Sequence, residues 1–302
     1  MGSTETEMKA LSSIGVISIG YSTAEALPLF HTLSGGSVLR VVAYSTAGAH
    51  AGLSGCDNFE VFDIYGPSLA GPPLKWVKPR QVAELAKAWG VDGVIVESFR
   101  ASSLGYFTAE LRRLGLVTGA RTNVGDLPSG LDFLVYDALG TCDSSFDVPG
   151  PEIDRALSRL RSQGTWVEVV GYLREPVAEG VLGLAYVTSY HGVPLHVFVL
   201  EHRGGGPVKD MYERLKRVNP FTYVHVPLYS ELITYCPRCG SPIAYREGGT
   251  LRSLELGPNS TCWRCGTPLP FVHLVAKKTA ERVVLLSGGQ TRWYDPRAVM
   301  RI

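Results

Sequence analysis

Two stretches near the C-terminal end repeat one pattern. They read Cys236-Pro237-Arg238-Cys239-Gly240-Ser241-Pro242-Ile243 and Cys262-Trp263-Arg264-Cys265-Gly266-Thr267-Pro268-Leu269, which is C-x-R-C-G-[S/T]-P-[I/L] twice. Two residues between cysteines let a tight turn aim both thiolates at one ion, and the following glycine suits the positive φ that such turns need. Two such turns, 22 residues apart, complete a closed tetrahedral site of the zinc-ribbon kind with Cys236, Cys239, Cys262 and Cys265 as ligands. The expected metal is a structural zinc, with iron as its alternative, because four thiolates leave no position open to substrate. Metal binding would supply folding energy to a module too small to bury much core. Arg238 and Arg264 are expected to lower the thiolate pKa values, and Trp263 is expected to pack rather than to stand exposed. The other two cysteines, Cys56 and Cys142, read as small buried hydrophobes.

The elements that must position these residues fall into two parts. Short apolar runs at Ile14–Ile19, Val38–Tyr44, Gly93–Glu97, Val117–Thr122, Asp132–Asp137, Trp166–Leu173, Leu195–Leu200 and Thr222–Val226 predict strands covered on both faces. Between them, Val82, Leu85, Ala86 and Trp89 predict a helix over Pro79–Trp89, and Ile153, Leu157 and Leu160 one over Pro151–Gln163 that Gly164 stops. Repeated βα units imply parallel strands with right-handed crossovers, and their number favours a full or partial TIM-type barrel over a doubly wound sheet. After Tyr229 the helical period disappears, and a β-like segment at Arg282–Leu286 precedes Gly288-Gly289. The organisation expected is a (βα) barrel over residues 1–229, a zinc-ribbon module over 230–274 and a tail, 275–302, packing back on the protein.

Charge and hydropathy narrow the function classes. The net charge of +1 over 302 residues argues against a generally basic nucleic-acid binder. Residues 229–302 nevertheless hold ten Lys/Arg against five Asp/Glu, a net of +5 that leaves −4 for the rest, so an acidic partner is permitted there. The start lacks the basic and apolar regions of a signal peptide, and no apolar run approaches the ~20 residues of a membrane span. A cytoplasmic location with reduced thiols and no membrane partner is expected.

Tyr235-Cys236-Pro237-Arg238-Cys239-Gly240 followed by a second C-x-x-C-G-x-P resembles the C-terminal module of radical-SAM proteins of the pyruvate formate-lyase activating enzyme type, notably the AmmeMemoRadiSam branch. Leu131–Asp137 is similar to that family's strand ending in an acidic residue, Gly164–Val169 to its G-x-W-V-E-V strand, Thr122-Asn123 to its T-N-G strand end and Pro194-Leu195-His196 to the strand before its last helix. The resemblance implies an α/β fold, a partial TIM-type (βα)6 barrel of the radical-SAM kind with a small C-terminal zinc-ribbon module of four cysteine ligands. It also implies a C-x3-C-x2-C loop for a [4Fe-4S] cluster whose open iron binds S-adenosylmethionine. The loop at that place reads Ala49-x3-Leu53-x2-Cys56, followed by Asp57-Asn58-Phe59-Glu60 where the family has Q-N-W-E. Two ligands are gone, alanine and leucine offer iron no lone pair, and one thiolate does not retain a four-iron cube. Cys56 is then a remnant of the cluster loop. Val96-Glu97-Ser98 keeps the carboxylate that holds the cofactor's amino group in the family but lacks the glycine and proline around it.

These readings imply a radical-SAM-like protein that has lost the [4Fe-4S] cluster, S-adenosylmethionine and radical chemistry, and acts as a zinc-containing binding or accessory protein alongside a protein partner or an active homologue. A second reading keeps an enzyme: Glu97, Asn123, Asp137, Glu168 and His196 fall on strands whose C-terminal ends share a mouth, where residual S-adenosylmethionine-related or acid–base chemistry is available. A third is nucleic-acid binding through the ribbon and Arg238, Arg246, Arg252, Arg264, Lys277 and Lys278.

Overall fold

The computed structural model describes residues 13–44, 73–97, 104–122, 130–138, 150–173, 179–199, 205–226, 229–230, 233–247, 249–275 and 291–300. Its centre is a mixed but largely parallel sheet. Strand β1 (Ile14–Thr23) pairs antiparallel with β2 (Ser37–Ala43), and its other edge takes β3 (Lys75–Val77) and, near its far end, β16 (Arg292–Tyr294). From β2 the parallel run continues in chain order through β4 (Gly93–Glu97), β5 (Val117–Thr122), β6 (Phe133–Ala138), β7 (Trp166–Leu173), β8 (Leu195–Val199) and β9 (Thr222–Val226). Antiparallel β10 (Tyr229–Ser230) ends it. Among the described residues the parallel order never reverses, so the sheet is singly wound, and its ladder ends at β10 and β16 rather than closing.

Helices α1 (Pro79–Trp89), α2 (Leu104–Arg113), α3 (Gly150–Ser162), α4 (Glu179–Tyr190) and α5 (Gly205–Val218) connect these strands and stack on one face. Strand period decides which residues meet them. Leu39 and Val41, Val94 and Val96 pack with Val82 and Phe107 of the first two helices. Leu134, Val167, Val169, Leu195 and Val197 pack with Leu157, Leu184 and Met211 of the last three. The alternate positions point away from the helices and carry Arg40, Glu97, Arg121, Asp137, Glu168, Tyr172, His196, Tyr223 and His225. The same two-residue alternation thus makes the helix-facing side of the sheet apolar and gives the other side most of the buried Arg, Asp, Glu and His side chains among the described residues.

One expectation is corrected, and another falls outside the described residues. The first strand is antiparallel to the second, because residues 24–36 between them hold no helix to carry the chain back across the sheet. That connection is instead folded in: Leu27, Leu29 and Leu33 join Val38, Ile95, Phe133, Val135 and Trp166 in a core on the face opposite the helices. Arg282–Leu286, read as β-like, lies outside the described residues; beyond it the chain pairs as β16 and ends in the short helix α6 (Pro296–Val299).

The cysteine-bearing segment forms its own small sheets, β11 (Ile233–Tyr235), β12 (Pro242–Glu247) and β13 (Thr250–Leu254) in one, β14 (Leu256–Gly257) and β15 (Thr261–Cys262) in the other. It meets the large sheet at the N-terminal ends of the parallel strands, where Phe30, Phe221 and Tyr223 pack with Ile243, Leu269 and Phe271.

Gly119 of β5 faces Phe133, its neighbour across the ladder, so closely that an added Cβ would lie 2.2 Å from the ring. The Gly119→Ala variant is expected to lose about 1–3 kcal/mol through overpacking. The denaturant midpoint should fall with an unchanged slope.

Candidate functional site

The two cysteine knuckles fold alike because their sequences are alike. The Gly240 N–H donates to the Cys236 carbonyl and the Gly266 N–H to that of Cys262, each at 2.9 Å, and both glycines adopt φ +70. The Cys236 and Cys262 N–H groups donate to the Ser241 and Thr267 carbonyls at 2.8 and 2.7 Å. The turns face each other with Cys236 Sγ 3.6 Å from Cys265 Sγ and Cys239 Sγ 3.7 Å from Cys262 Sγ, and all four sulfurs lie within 4.8 Å of one another. Metal–sulfur bonds of about 2.3 Å in a tetrahedron place sulfurs about 3.8 Å apart, so the four cysteines are close enough to hold one metal ion.

Electrostatics divide the ligands by position. Hydrogen bonding from Ser241, whose hydroxyl is 3.3 Å from the sulfur, pulls Cys239 down to about 6, and Thr267 lowers Cys265 in the same way from 3.2 Å. Burial pushes Cys236 up to about 11. This corrects the role expected of Arg238 and Arg264. Both are exposed, and the Ser/Thr of the repeat, one residue past each glycine, favours the thiolates that a metal requires. Trp263 is corrected as well: it is 50 % exposed, with its Nε1–H donating to the Pro242 carbonyl at 3.2 Å.

Arg246, read as part of a basic surface, is fully buried. Its place on β12 turns it inward, where NH2 donates to the Phe30 carbonyl at 2.6 Å and NH1 to Thr234 Oγ1 at 2.9 Å. The guanidinium also lies 4.2 Å over the Phe30 ring. This arginine ties the cysteine segment to the buried 24–36 connection and is removed from any nucleic-acid contact. Arg252 is exposed and paired with Glu247 at 3.1 Å, while Lys277 and Lys278 lie outside the described residues.

Glu168 holds the same connection from the other side. Its Oε2 accepts the Phe30 N–H at 2.9 Å, and Oε1 accepts those of His31 at 3.0 Å and Thr32 at 3.1 Å. His196 Nε2, 3.0 Å from Oε2, and the Trp166 Nε1–H, donating to Oε1 at 3.4 Å, complete the set. Buried amides without partners cost about 1–3 kcal/mol each, which gives this interior carboxylate a structural purpose. Burial raises Glu168 to about 7, and burial followed by the Arg246 charge keeps His196 and His31 well below the usual imidazole range. His31 Nε2 meets the Tyr223 hydroxyl at 2.6 Å.

Glu97 and Asp137 sit toward the other, C-terminal, ends of the strands, and each is already engaged. Arg40 grips Glu97 in a two-pronged ion pair, with NH2 to Oε2 at 2.8 Å, and lies 4.5 Å over Trp293. Arg121 donates Nε–H to Asp137 Oδ2 at 2.8 Å and NH2 to Oδ1 at 2.9 Å, and also reaches the Tyr172 hydroxyl at 2.7 Å. Burial raises Asp137 and the Arg121 charge opposes it.

The four proposed mouth residues that are described do not converge. Glu97 and Asp137 pair with their own arginines, Glu168 and His196 lie near the strand starts, and Asn123 and Cys56 lie outside the described residues. Sequence reading missed Arg40 and Arg121, although an arginine inside an apolar strand announces a buried partner. It also missed His31, Tyr223 and His225, which carried no such local signal. No helix among the described residues is long and apolar enough to cross a membrane.

Cys262→Ser removes one of the four donors. Metal analysis of the purified variant should fall from about one equivalent toward none, with a lower thermal midpoint, because metal binding is coupled to folding. Glu25 provides a pH test. Its pKa rises from 4.5 to about 7 on burial, so its stabilising contribution is complete below the unfolded value and lost as pH climbs through about 7. Gln does not titrate, so the Glu25→Gln variant should gain on wild type by up to about 3 kcal/mol between about pH 4.5 and 7, read from denaturant midpoints. Neither a protein-family model nor a curated protein matches the chain.

Proposed function

We propose that this chain is a radical-SAM-like protein, with a partial (βα)6 barrel and a zinc ribbon, that has lost the four-iron cluster and serves as a cytoplasmic binding or accessory protein. The observation that carries this reading is the buried Arg40–Glu97 pair. Glu97 is the carboxylate that the resemblance assigns to the amino group of S-adenosylmethionine. A bidentate guanidinium occupies that carboxylate and presents positive charge where a cationic ammonium would need to bind. Ala49 and Leu53, in the place of two cluster cysteines, point the same way.

Zinc suits the four-cysteine site, because four thiolates form a closed tetrahedral shell and leave the ion a structural task. The site lies at the strand-start end of the sheet, whereas (βα) barrels do their chemistry at the C-terminal strand ends. A protein partner has Tyr235, Tyr245 and Trp263 available as exposed aromatic contacts on the cysteine segment.

Anaerobic iron–sulfur reconstitution with metal analysis tests this reading. About one zinc per chain and no four-iron absorption are expected. About four irons per chain, together with reductive cleavage of S-adenosylmethionine, would overturn it.

A further inference from the structure

Glu168 does more than hold the Phe30–Thr32 amides, because its hydrogen bond to His196 continues to a third residue. His196 Nδ1 lies 3.1 Å from Nε2 of His225. Glu168 and His196 are buried, whereas His225 and Phe198 beside it are only partly so on the inward-facing side of the sheet. The two rings stack at 4.3 Å and 10°, which fixes the plane of the imidazole. The tautomers then follow in order. Three backbone amides donate to Glu168, so it is an acceptor and His196 carries its proton on Nε2. His196 Nδ1 is left as an acceptor and takes the Nε2 proton of His225. The chain ends at the ring's other nitrogen, His225 Nδ1, whose lone pair has no hydrogen bond to a described residue and belongs to a ring that is only partly buried.

We propose that Glu168, His196 and His225 form a proton-accepting chain whose receiving atom is His225 Nδ1, serving a small ligand that presents an acidic O–H or N–H to this face of the sheet. In the step, the ligand's X–H bond breaks and its proton bonds to His225 Nδ1. The Nε2 proton of His225 passes to His196 Nδ1, and the Nε2 proton of His196 passes to Glu168 Oε2. The ligand ends as X−, both imidazoles stay neutral, and the carboxylate becomes a carboxylic acid, so charge and protons balance. Several charges face the chain: Arg246 from β12, Arg121 from β5 and Glu25 from the 24–36 connection. Burial, with the Arg246 charge, keeps both imidazoles neutral, and Arg121 adds to this at His196; burial also brings Glu168 to about 7, where it can take up the proton.

Long-range proton–nitrogen NMR on the full chain with 15N-labelled histidine reads the tautomers directly. His225 should be the Nε2–H form in wild type and a mixture of both ring forms in His196→Phe, a variant that keeps an aromatic ring at that position. Diethyl pyrocarbonate, which acylates accessible unprotonated ring nitrogen, should label His225 and spare His196. A 4-nitrophenol probe at fixed pH should be ionised to a greater extent by wild type than by His225→Phe. A His225 Nδ1–H form in wild type, or ring forms unchanged in His196→Phe, would overturn the chain. An equal 4-nitrophenolate fraction with both proteins would overturn the ligand class.

Discussion

The carboxylate of Glu168 is the point at which three otherwise separate pieces of chain meet. It satisfies three consecutive amides of the 24–36 connection, and it does so from the inward-facing side of β7. Residues 24–36 make few regular backbone bonds of their own, so their burial depends on finding acceptors elsewhere. The Phe30 carbonyl, whose own N–H bonds to Glu168, receives Arg246 from the cysteine segment. A carboxylate and a guanidinium thus bracket one dipeptide link, and the large sheet, the buried connection and the metal-competent segment are fastened at that place. A negative and a positive group each lie close enough to moderate the burial cost of the other.

Similar accounting governs the far ends of the strands. An ion transferred alone into a protein interior costs several kcal/mol, and removing one partner of a buried pair costs about 3–5 kcal/mol. Arg40 with Glu97 and Arg121 with Asp137 avoid that cost by two-pronged geometry, which satisfies more lone pairs than a single contact. The consequence for function is direct. A side chain so engaged is committed to the fold, and its residue type alone is no evidence of reactivity. Among the described residues, the chain through His196 to His225 ends instead in a ring nitrogen without a hydrogen-bond partner.

Much of the fold was legible in the residue order. Gly93–Glu97, Val117–Thr122, Trp166–Leu173 and Thr222–Val226 were predicted with the bounds observed, as was the helix Pro79–Trp89. Continuous apolar runs and the 3.6-residue helical period act between residues a few positions apart, and Gly164 marks a stop that depends on φ alone. The antiparallel first strand was not legible, because nothing in the run Ile14–Thr23 says which neighbour it will choose. Arg246 was misread for the same reason: a lone arginine in a polar strand looks solvated until its partner, 216 residues earlier, is brought to it.

The four cysteines needed no fold to be recognised, since each knuckle's ligand spacing, its positive-φ glycine and its Ser/Thr hydrogen bond all lie within six residues of sequence. The sequence by itself also determined that most strands are apolar enough to be covered on both faces. Only the tertiary structure decided which polar residues answer one another. Arg40 finds Glu97 across 57 positions and Glu168 finds Phe30 across 138. Such pairings are set by strand order and by where a loop is folded in, and no local spacing encodes them. The meaning of Glu97, Glu168 and His225 follows from those partners: one is neutralised, one is a structural anchor, and one is left with a lone pair to offer.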